Sequence, residues 1–304
     1  MFDDGSGGRL GALRDEQVVD LGALAGATGA PAPPPDLLSL IDQGDSGLEA
    51  VRSLLARLDG AGSPPLLRPL EDVELLPPLD LPRGNVLAIG RNYEKHAAEG
   101  ARALGTEVKP PTIFTKAITT ITGPRADIPI DPAVSEQIDW EVELGVVVGR
   151  RGVNIRREDA LAHVFGYTVL NDVSARDIQQ NWGGQWFKGK SLDASCPSGP
   201  WVVTRDELPD PSSLPLRLTV NGVLKQDANT RDMIYSVDAI IEWLSVGMTL
   251  LPGMLIATGT PEGVGYARKP PEFLQPDDVM ESEVGGVGSL RNLMIAARRL
   301  QPVM

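Results

Sequence analysis

The 304-residue chain has little of what builds covalent or soft-ligand chemistry. It carries one cysteine, Cys196, which excludes an intramolecular disulfide framework and any multi-cysteine metal site. It carries two histidines, His96 and His163, so a histidine-rich metal centre is excluded. A site that needs a base titrating near neutrality has little choice. Basic residues are outnumbered, 28 Lys and Arg against 41 Asp and Glu, for a formal net charge of −13. That balance leaves no basic stripe to displace counterions, which argues against a nucleic acid or an anionic membrane as partner. No apolar run approaches the roughly 18–20 residues of a membrane span. The N-terminus lacks a basic segment followed by an apolar one, so no signal peptide is visible. A cytoplasmic, reducing setting is the expectation.

What is present suits a mostly β protein. The composition, 42% hydrophobic and 23% charged, is that of an ordinary globular chain, long enough for one large domain or a small domain beside a larger one. Two short strands are predicted around a turn, at 10–13 and 18–21, followed over 30–36 by a proline-rich loop that cannot sit inside a sheet. An amphipathic helix is predicted over 46–60, with Leu48, Val51, Leu54, Leu55 and Leu58 on one face, Ser46 as its cap and Gly60 beyond its end. Residues 64–84 are too proline-rich for regular structure of any length and read as an ordered connector.

From Asn85 onward short apolar runs dominate. Strands are predicted over 85–90, within 113–124 and through the run ending at 150, and a short helix turns into a strand over 157–173. Two strands flank the Asn221-Gly222 turn in 214–230, the strongest local hairpin signal in the chain. A helix capped by Ser236 is predicted over 236–253, then a strand entering a glycine-rich loop over 254–265. There is neither an internal repeat nor a regular βαβ alternation, which disfavours a doubly wound or TIM-type sheet. The expected class is α+β, mostly β with peripheral helices, divided into a small N-terminal domain with its connector over 1–80 and a larger domain over 81–304.

One run raises a question. "DWEVELGVVV" (139–148) sets Asp139, Glu141 and Glu143 at every second position. Side chains alternate along a strand, so the three acids point one way and the apolar residues the other. Like charges that close repel unless solvent or a counter-charge separates them. Either the face is solvated or it holds a cation. "MESEV" (280–284) repeats the spacing at Glu281 and Glu283 in a polar setting that reads as an exposed edge, so the spacing alone proves little.

Other stretches carry chemistry-bearing residues with equally open readings. In "GRNYEKHAAEG" (90–100), His96 and Glu99 sit three residues apart, close enough on one helical turn for the carboxylate to orient the imidazole as a base. The alternative is a surface turn with a His–Glu contact. "GYTVLNDVSARDIQ" (166–179) delivers Asp172 from an apolar strand, followed by Arg176, Asp177 and Gln179; Asp172 is either functional or a cap for the next turn. "FKGKSLDASCPSGPW" (187–201) supplies Lys188 and Lys190 as anion-binding or solvated lysines, and Cys196 as a packed small residue. "ATGTPEGVG" (257–265) offers Thr258, Thr260 and loop amides to an oxyanion, without the lysine of a P-loop.

Taken in order, "GRNYEKHAAE", "IFTKAITTITGP", "DWEVELGVVVG", "GYTVLNDVSARDIQ", "KGKSLDASCPSGPW", "VNGVLKQDANTRDMIYSV" and "PGMLIATGTPEGVG" resemble the fumarylacetoacetate hydrolase family from about Asn85 to the C-terminus. The N-terminal part looks, more loosely, like the small appended α+β domain of many bacterial members. The resemblance implies a mixed β-roll catalytic domain, usually a homodimer, and a small-molecule 2-oxo or 2,4-dioxo carboxylic acid as substrate, in aromatic or sugar-acid catabolism. Carried onto this chain, it makes Glu141, Glu143 and Asp172 ligands of a divalent cation. It leaves Asp139 outside the pattern. An all-oxygen set independently suits a hard ion, Mg²⁺ or else Mn²⁺ or Ca²⁺. His96 and Glu99 match a water-activating dyad, and Lys190 matches a lysine that steadies developing negative charge. Gln179 and Thr260 match substrate-contacting positions, with Arg91 and Lys116 as weaker candidates for a carboxylate. The implied reaction is hydrolysis of the C–C bond of a 2,4-dioxo acid, in which the leaving carbanion is held as an enolate at the metal. Decarboxylation of a 2-oxo acid or isomerisation of an unsaturated diacid on the same site is the alternative, and a non-catalytic metabolite-binding protein the less favoured one.

Overall fold

Local pattern and long-range pairing agree over most of the chain. The computed structural model describes residues 1–58, 66–93 and 110–297. In chain order the elements are β1 (Phe2–Asp3), β2 (Gly11–Arg14), β3 (Gln17–Asp20), α1 (Leu21–Thr28), α2 (Leu37–Leu55), β4 (Leu67–Pro69), β5 (Glu74–Leu75), β6 (Val86–Gly90), β7 (Thr112–Lys116), β8 (Ile121–Thr122), β9 (Ile128–Ile130), β10 (Ile138–Asp139), β11 (Val142–Val148), β12 (Val164–Asn171), β13 (Ser174–Ala175) and α3 (Arg176–Asn181). There follow β14 (Cys196–Thr204), β15 (Pro215–Val220), β16 (Val223–Asn229), α4 (Val237–Ser245), β17 (Leu255–Ala257), β18 (Val279–Val284) and β19 (Gly288–Ala296). The fold is mostly β with few helices, as the patterning predicts. No described helix is long and apolar enough to cross a membrane.

Seven strands form a curled sheet in the order β7-β6-β17-β11-β12-β14-β8, and five form a second in the order β16-β15-β18-β19-β9. Their inner faces share one core. From β11, Val142, Leu144, Val146 and Val148 pack with Leu216 and Leu218 of β15 and Met280 and Val284 of β18. The opposite face of β11, carrying Val147, packs in a second cluster with Leu21 and Leu24 of α1, Leu40 and Ile41 of α2, and Cys196. So β11 is buried on both sides, which explains its nearly continuous apolar run. The β15–β16 hairpin turns at Asn221 and Gly222 with φ of 52° and 73°, the doubly positive pair that a two-residue hairpin loop demands.

Several local expectations are revised. The helix predicted over 46–60 is the second half of α2, which starts at Leu37 behind an Asp36 cap and kinks at Gly44 (φ 57°, ψ −141°). The kink resets the helical phase, so the apolar stripe after it reads as a separate helix. Ser46 lies inside, its hydroxyl donating to the Gln43 carbonyl, and Gly60 lies outside the described residues. The helix over 236–253 ends at Ser245, and the one preceding β12 is a 3₁₀ helix, Arg157–His163. The connector contains short strands, β4 paired with β3 and β5 with β1. The acidic run is two strands, β10 and β11, broken at Trp140 and Glu141. Glu281 and Glu283 do point to solvent, but from β18, a central strand rather than an edge.

Candidate active site

Strand pairing brings the acids together. Because β11 and β12 run antiparallel with Val142 opposite Asn171, the residue before β11 and the residue after β12 must meet, and the Asp172 amide donates to the Glu141 carbonyl at 2.9 Å. Glu143 is the second residue of β11, on the same side as Val147. Carboxylate oxygens of Glu141, Glu143 and Asp172 all lie within 4.8 Å of one another, and all three side chains are buried. A solvated acidic face is therefore excluded. Asp172 does not cap the turn after it, either: its oxygens face cations.

Those cations are two lysines and an arginine. Lys190 Nζ donates to Glu141 Oε2 at 2.8 Å and to Asp172 Oδ2 at 2.7 Å. Lys116 Nζ sits 2.7 Å from Asp172 Oδ1 and also donates to the Val173 carbonyl and Ser195 Oγ. Arg176 pairs through NH2 with Glu141 Oε1 at 2.6 Å. For Lys190 and Arg176, burial works against the charged form, but the neighbouring carboxylates outweigh it and hold both above their ordinary values. Glu143 receives only the Gly259 amide, at 2.7 Å, and no ion pair reaches it among the described residues. Burial, with the Asp172 and Glu141 charges added, pushes its carboxyl well above the usual range.

This imbalance tests the site for a cation. Three oxygen donors converge without histidine or cysteine, and among the described residues no lysine or arginine pairs directly with Glu143. A hard divalent cation fits that donor set, since it would sit among oxygens of one sign and lower the Glu143 pKa. The residues present could hold one.

A cavity of about 320 Å³ opens beside the acids. Glu141, Lys190, Thr260, Arg176, Gln179 and Arg91 supply its polar lining, and Phe114, Trp186 and Tyr266 its aromatic lining. Gln179 Oε1 accepts from Arg176 NH1 at 2.9 Å, which leaves its amide N–H groups for a ligand. Arg91 is exposed, has a φ of 59° and places its guanidinium 5.6 Å from the Trp186 ring centroid. A left-handed backbone at a non-glycine residue is strained, and such strain collects at functional positions.

The structure thus gathers Glu141, Glu143, Asp172, Lys190, Gln179, Thr260 and Arg91. Lys116 is placed behind the acids, wholly buried, and does not line the cavity. The hydroxyls of Thr258 and Thr260 donate to the Leu144 and Val142 carbonyls, so that loop chiefly braces β11. Lys188 is exposed, and Cys196 is a buried packing residue whose thiol burial pushes up to about 12. His96 and Glu99 lie outside the described residues. His163 holds the Arg150 carbonyl at 3.1 Å and does not line the cavity. Sequence reasoning missed the aromatic walls and the contacts of Arg176, because nothing within a few residues of any of them signals a shared cavity.

Comparison with known proteins covers the same ground. The family described as fumarylacetoacetate (FAA) hydrolase C-terminal matches residues 85–295. The mitochondrial oxaloacetate tautomerase FAHD2B of Bos taurus is 41% identical over 279 residues, 91% of this chain and 84% of that protein. Among solved structures, fumarylacetoacetate hydrolase from Exiguobacterium antarcticum is 35% identical with a TM-score of 0.80, covering 97% of this chain and 98% of that one. A 2-hydroxyhepta-2,4-diene-1,7-dioate isomerase from Mycobacterium marinum is 39% identical with a TM-score of 0.65, over 77% of this chain and 82% of that one.

Proposed function

Given that the chain belongs to the fumarylacetoacetate hydrolase family, we propose that it is a divalent-cation-dependent enzyme, with Mg²⁺ its natural ion, that forms the enolate of a small 2-oxo acid. Hydrolysis of the C–C bond of a 2,4-dioxo acid is the reaction that would also employ His96 and Glu99. The observation carrying this reading is the convergence of three buried carboxylates within 4.8 Å of one another, one of which, Glu141, lines a cavity that Arg91, Arg176 and Lys190 also line.

A bound divalent cation would supply Lewis acidity, polarising the 2-oxo group and offsetting negative charge next to it. Glu141, Glu143 and Asp172 would hold it. Lys190, fixed between Glu141 and Asp172, keeps an ammonium beside the same charge. The amide of Gln179 binds the substrate at the cavity wall, and Arg91 takes a carboxylate at the rim. In the hydrolytic reading His96, oriented by Glu99, removes a proton from water that attacks C4. The C3–C4 bond breaks, its electron pair forms the enolate, and protonation at C3 gives the 2-oxo acid product.

Keto–enol interconversion of a 2-oxo diacid is the second reading, favoured by the 41% identity to the bovine oxaloacetate tautomerase across nearly the whole chain. It needs the enolate but no attacking water. The two separate in one assay of purified protein with Mg²⁺ or EDTA, on an acylpyruvate and on the enol form of oxaloacetate. Hydrolysis releases pyruvate and an acid, and His96→Ala abolishes it while leaving cation affinity nearly intact. Tautomerisation consumes the enol and releases neither. Equal turnover in EDTA would refute both.

A further inference from the structure

Asp139 begins the acidic run yet has no part in the chemistry described above, and it is wholly buried. Its carboxylate is saturated. Oδ1 accepts from the amides of Trp140 at 2.8 Å and Gly265 at 2.6 Å, and Oδ2 from the Tyr266 amide at 3.1 Å and Arg176 Nε at 2.7 Å. The chain at Gly265 approaches so closely that a Cβ there would fall 2.7 Å from Oδ1, so the contact requires glycine. These bonds tie the end of β10 to the 265–266 turn, 126 and 127 residues further on.

The other half of the arrangement is the Arg176 guanidinium, which faces three partners at once. Nε reaches Asp139, NH1 reaches Gln179 Oε1 at 2.9 Å, and NH2 pairs with Glu141 Oε1 at 2.6 Å. Its plane is also packed 4.4 Å from the Tyr266 ring centroid. A rigid planar fork cannot turn towards one partner without leaving another. Glu141 is meanwhile clamped by two cations, Arg176 on Oε1 and Lys190 on Oε2. Asp139 draws part of the Arg176 charge away from Glu141. Without it, the buried guanidinium would have Glu141 as its one contacting anion among the described residues, and would neutralise that carboxylate more fully.

We propose that Asp139 is a positioning residue: through Arg176 it keeps Glu141 available to a divalent cation and Gln179 turned to the cavity, while touching neither cation nor substrate. The proposal rests on the reading of Glu141, Glu143 and Asp172 as the cation site. Asp139→Asn keeps the size and removes the charge. Calorimetric titration with Mn²⁺ should then show a Kd raised about ten-fold, the lower end of what removing a partner of a metal ligand does. KM should rise by more than kcat falls, since Gln179 contacts the bound substrate. Arg176→Lys keeps the charge but not the fork and should give a loss of similar size. The double variant should be no worse than the worse single one, because the two residues act as a unit.

A merely structural aspartate would lower the melting temperature and leave the folded fraction binding Mn²⁺ as the wild type does; that result, or losses that multiply in the double variant, overturns the proposal. If Asp139→Asn does not fold, wild-type Mn²⁺ affinity in Arg176→Lys overturns it instead. Glu143→Gln is the control. Should it bind Mn²⁺ normally, the cation-site reading itself fails; should it lose Mn²⁺ while Asp139→Asn does not, the positioning proposal alone fails.

Discussion

Two Glu-x-Glu stretches occur in this chain, and the fold treats them oppositely. Glu281 and Glu283 alternate along β18 with buried Met280, Ser282 and Val284, so one face of that strand is core and the other is solvent. Register sets Glu281 opposite Arg291 and Glu283 opposite Arg217. They line an open depression of about 660 Å³, twice the size of the cavity beside Glu141, but every acid in it is close to solvent. Glu141 and Glu143 have the same spacing and are both buried, Glu141 lining the cavity. Antiparallel pairing adds Asp172, and the loop after β17 seals the strand with Gly259, Thr258 and Thr260. Spacing decides which way two carboxylates point. Neighbours decide whether they are a surface or a site.

The sharpest way to break that comparison is to remove one carboxylate from each. Glu143→Gln should lose Mn²⁺ binding by more than the roughly 100-fold that marks the upper end for partners of metal ligands, and turnover with it. Glu283→Gln should titrate with Mn²⁺ as the wild type does. Calorimetry on both variants checks the pair, and loss of binding at Glu283, or retention at Glu143, would undo the distinction.

A second difference should appear in stability against pH. In the cation-stripped protein, burial and then the Asp172 and Glu141 charges raise the Glu143 pKa. The folded state therefore holds that proton more tightly than the unfolded chain does. Its contribution is full below the unfolded carboxylate value, about 4.3, and is lost as pH rises from there towards the raised folded value. Melting curves of stripped protein should show the wild type losing stability relative to Glu143→Gln across that rise. Mn²⁺ should shrink the difference by binding the folded state. Glu283→Gln should keep the wild-type slope. An identical slope in Glu143→Gln would mean that Glu143 is not the strained carboxylate.

How much of this was legible beforehand follows from how local each signal is. Period-two runs and the Asn221-Gly222 turn report on their own segment, so β6, β11, β12 and the β15–β16 hairpin are readable from a dozen residues. The three acids of the candidate site are readable as a group too, once the order of segments is matched to a family. The pairing of Asp139 with Arg176, 37 residues apart, leaves no local mark. Lys116 illustrates the same limit: the family resemblance offers it as a weaker candidate for a carboxylate, and nothing near it in sequence announces that its ammonium is wholly buried against Asp172. Nor does anything near Gly44 announce that the helix after it began seven residues earlier.

The smallest effect belongs to the exposed pair itself. Glu281 lies 3.7 Å from Arg291 Nε with both side chains more than half exposed, and accepts from Thr219 Oγ1 at 3.2 Å. Exposed pairs of this kind contribute roughly 0–1 kcal/mol, weakened further by salt. The cross-strand neighbours Arg217 and Arg291 keep the water that already surrounds them when the acids go. Glu281→Gln with Glu283→Gln should therefore change stability by no more than about 1 kcal/mol, a shift of a few degrees at most in a domain of this size. Turnover and Mn²⁺ affinity should be unchanged. Melting curves at low and high salt would check it: a large salt-resistant loss would mean that β18's outer face is held by buried electrostatics after all, and that the contrast with β11 is one of degree.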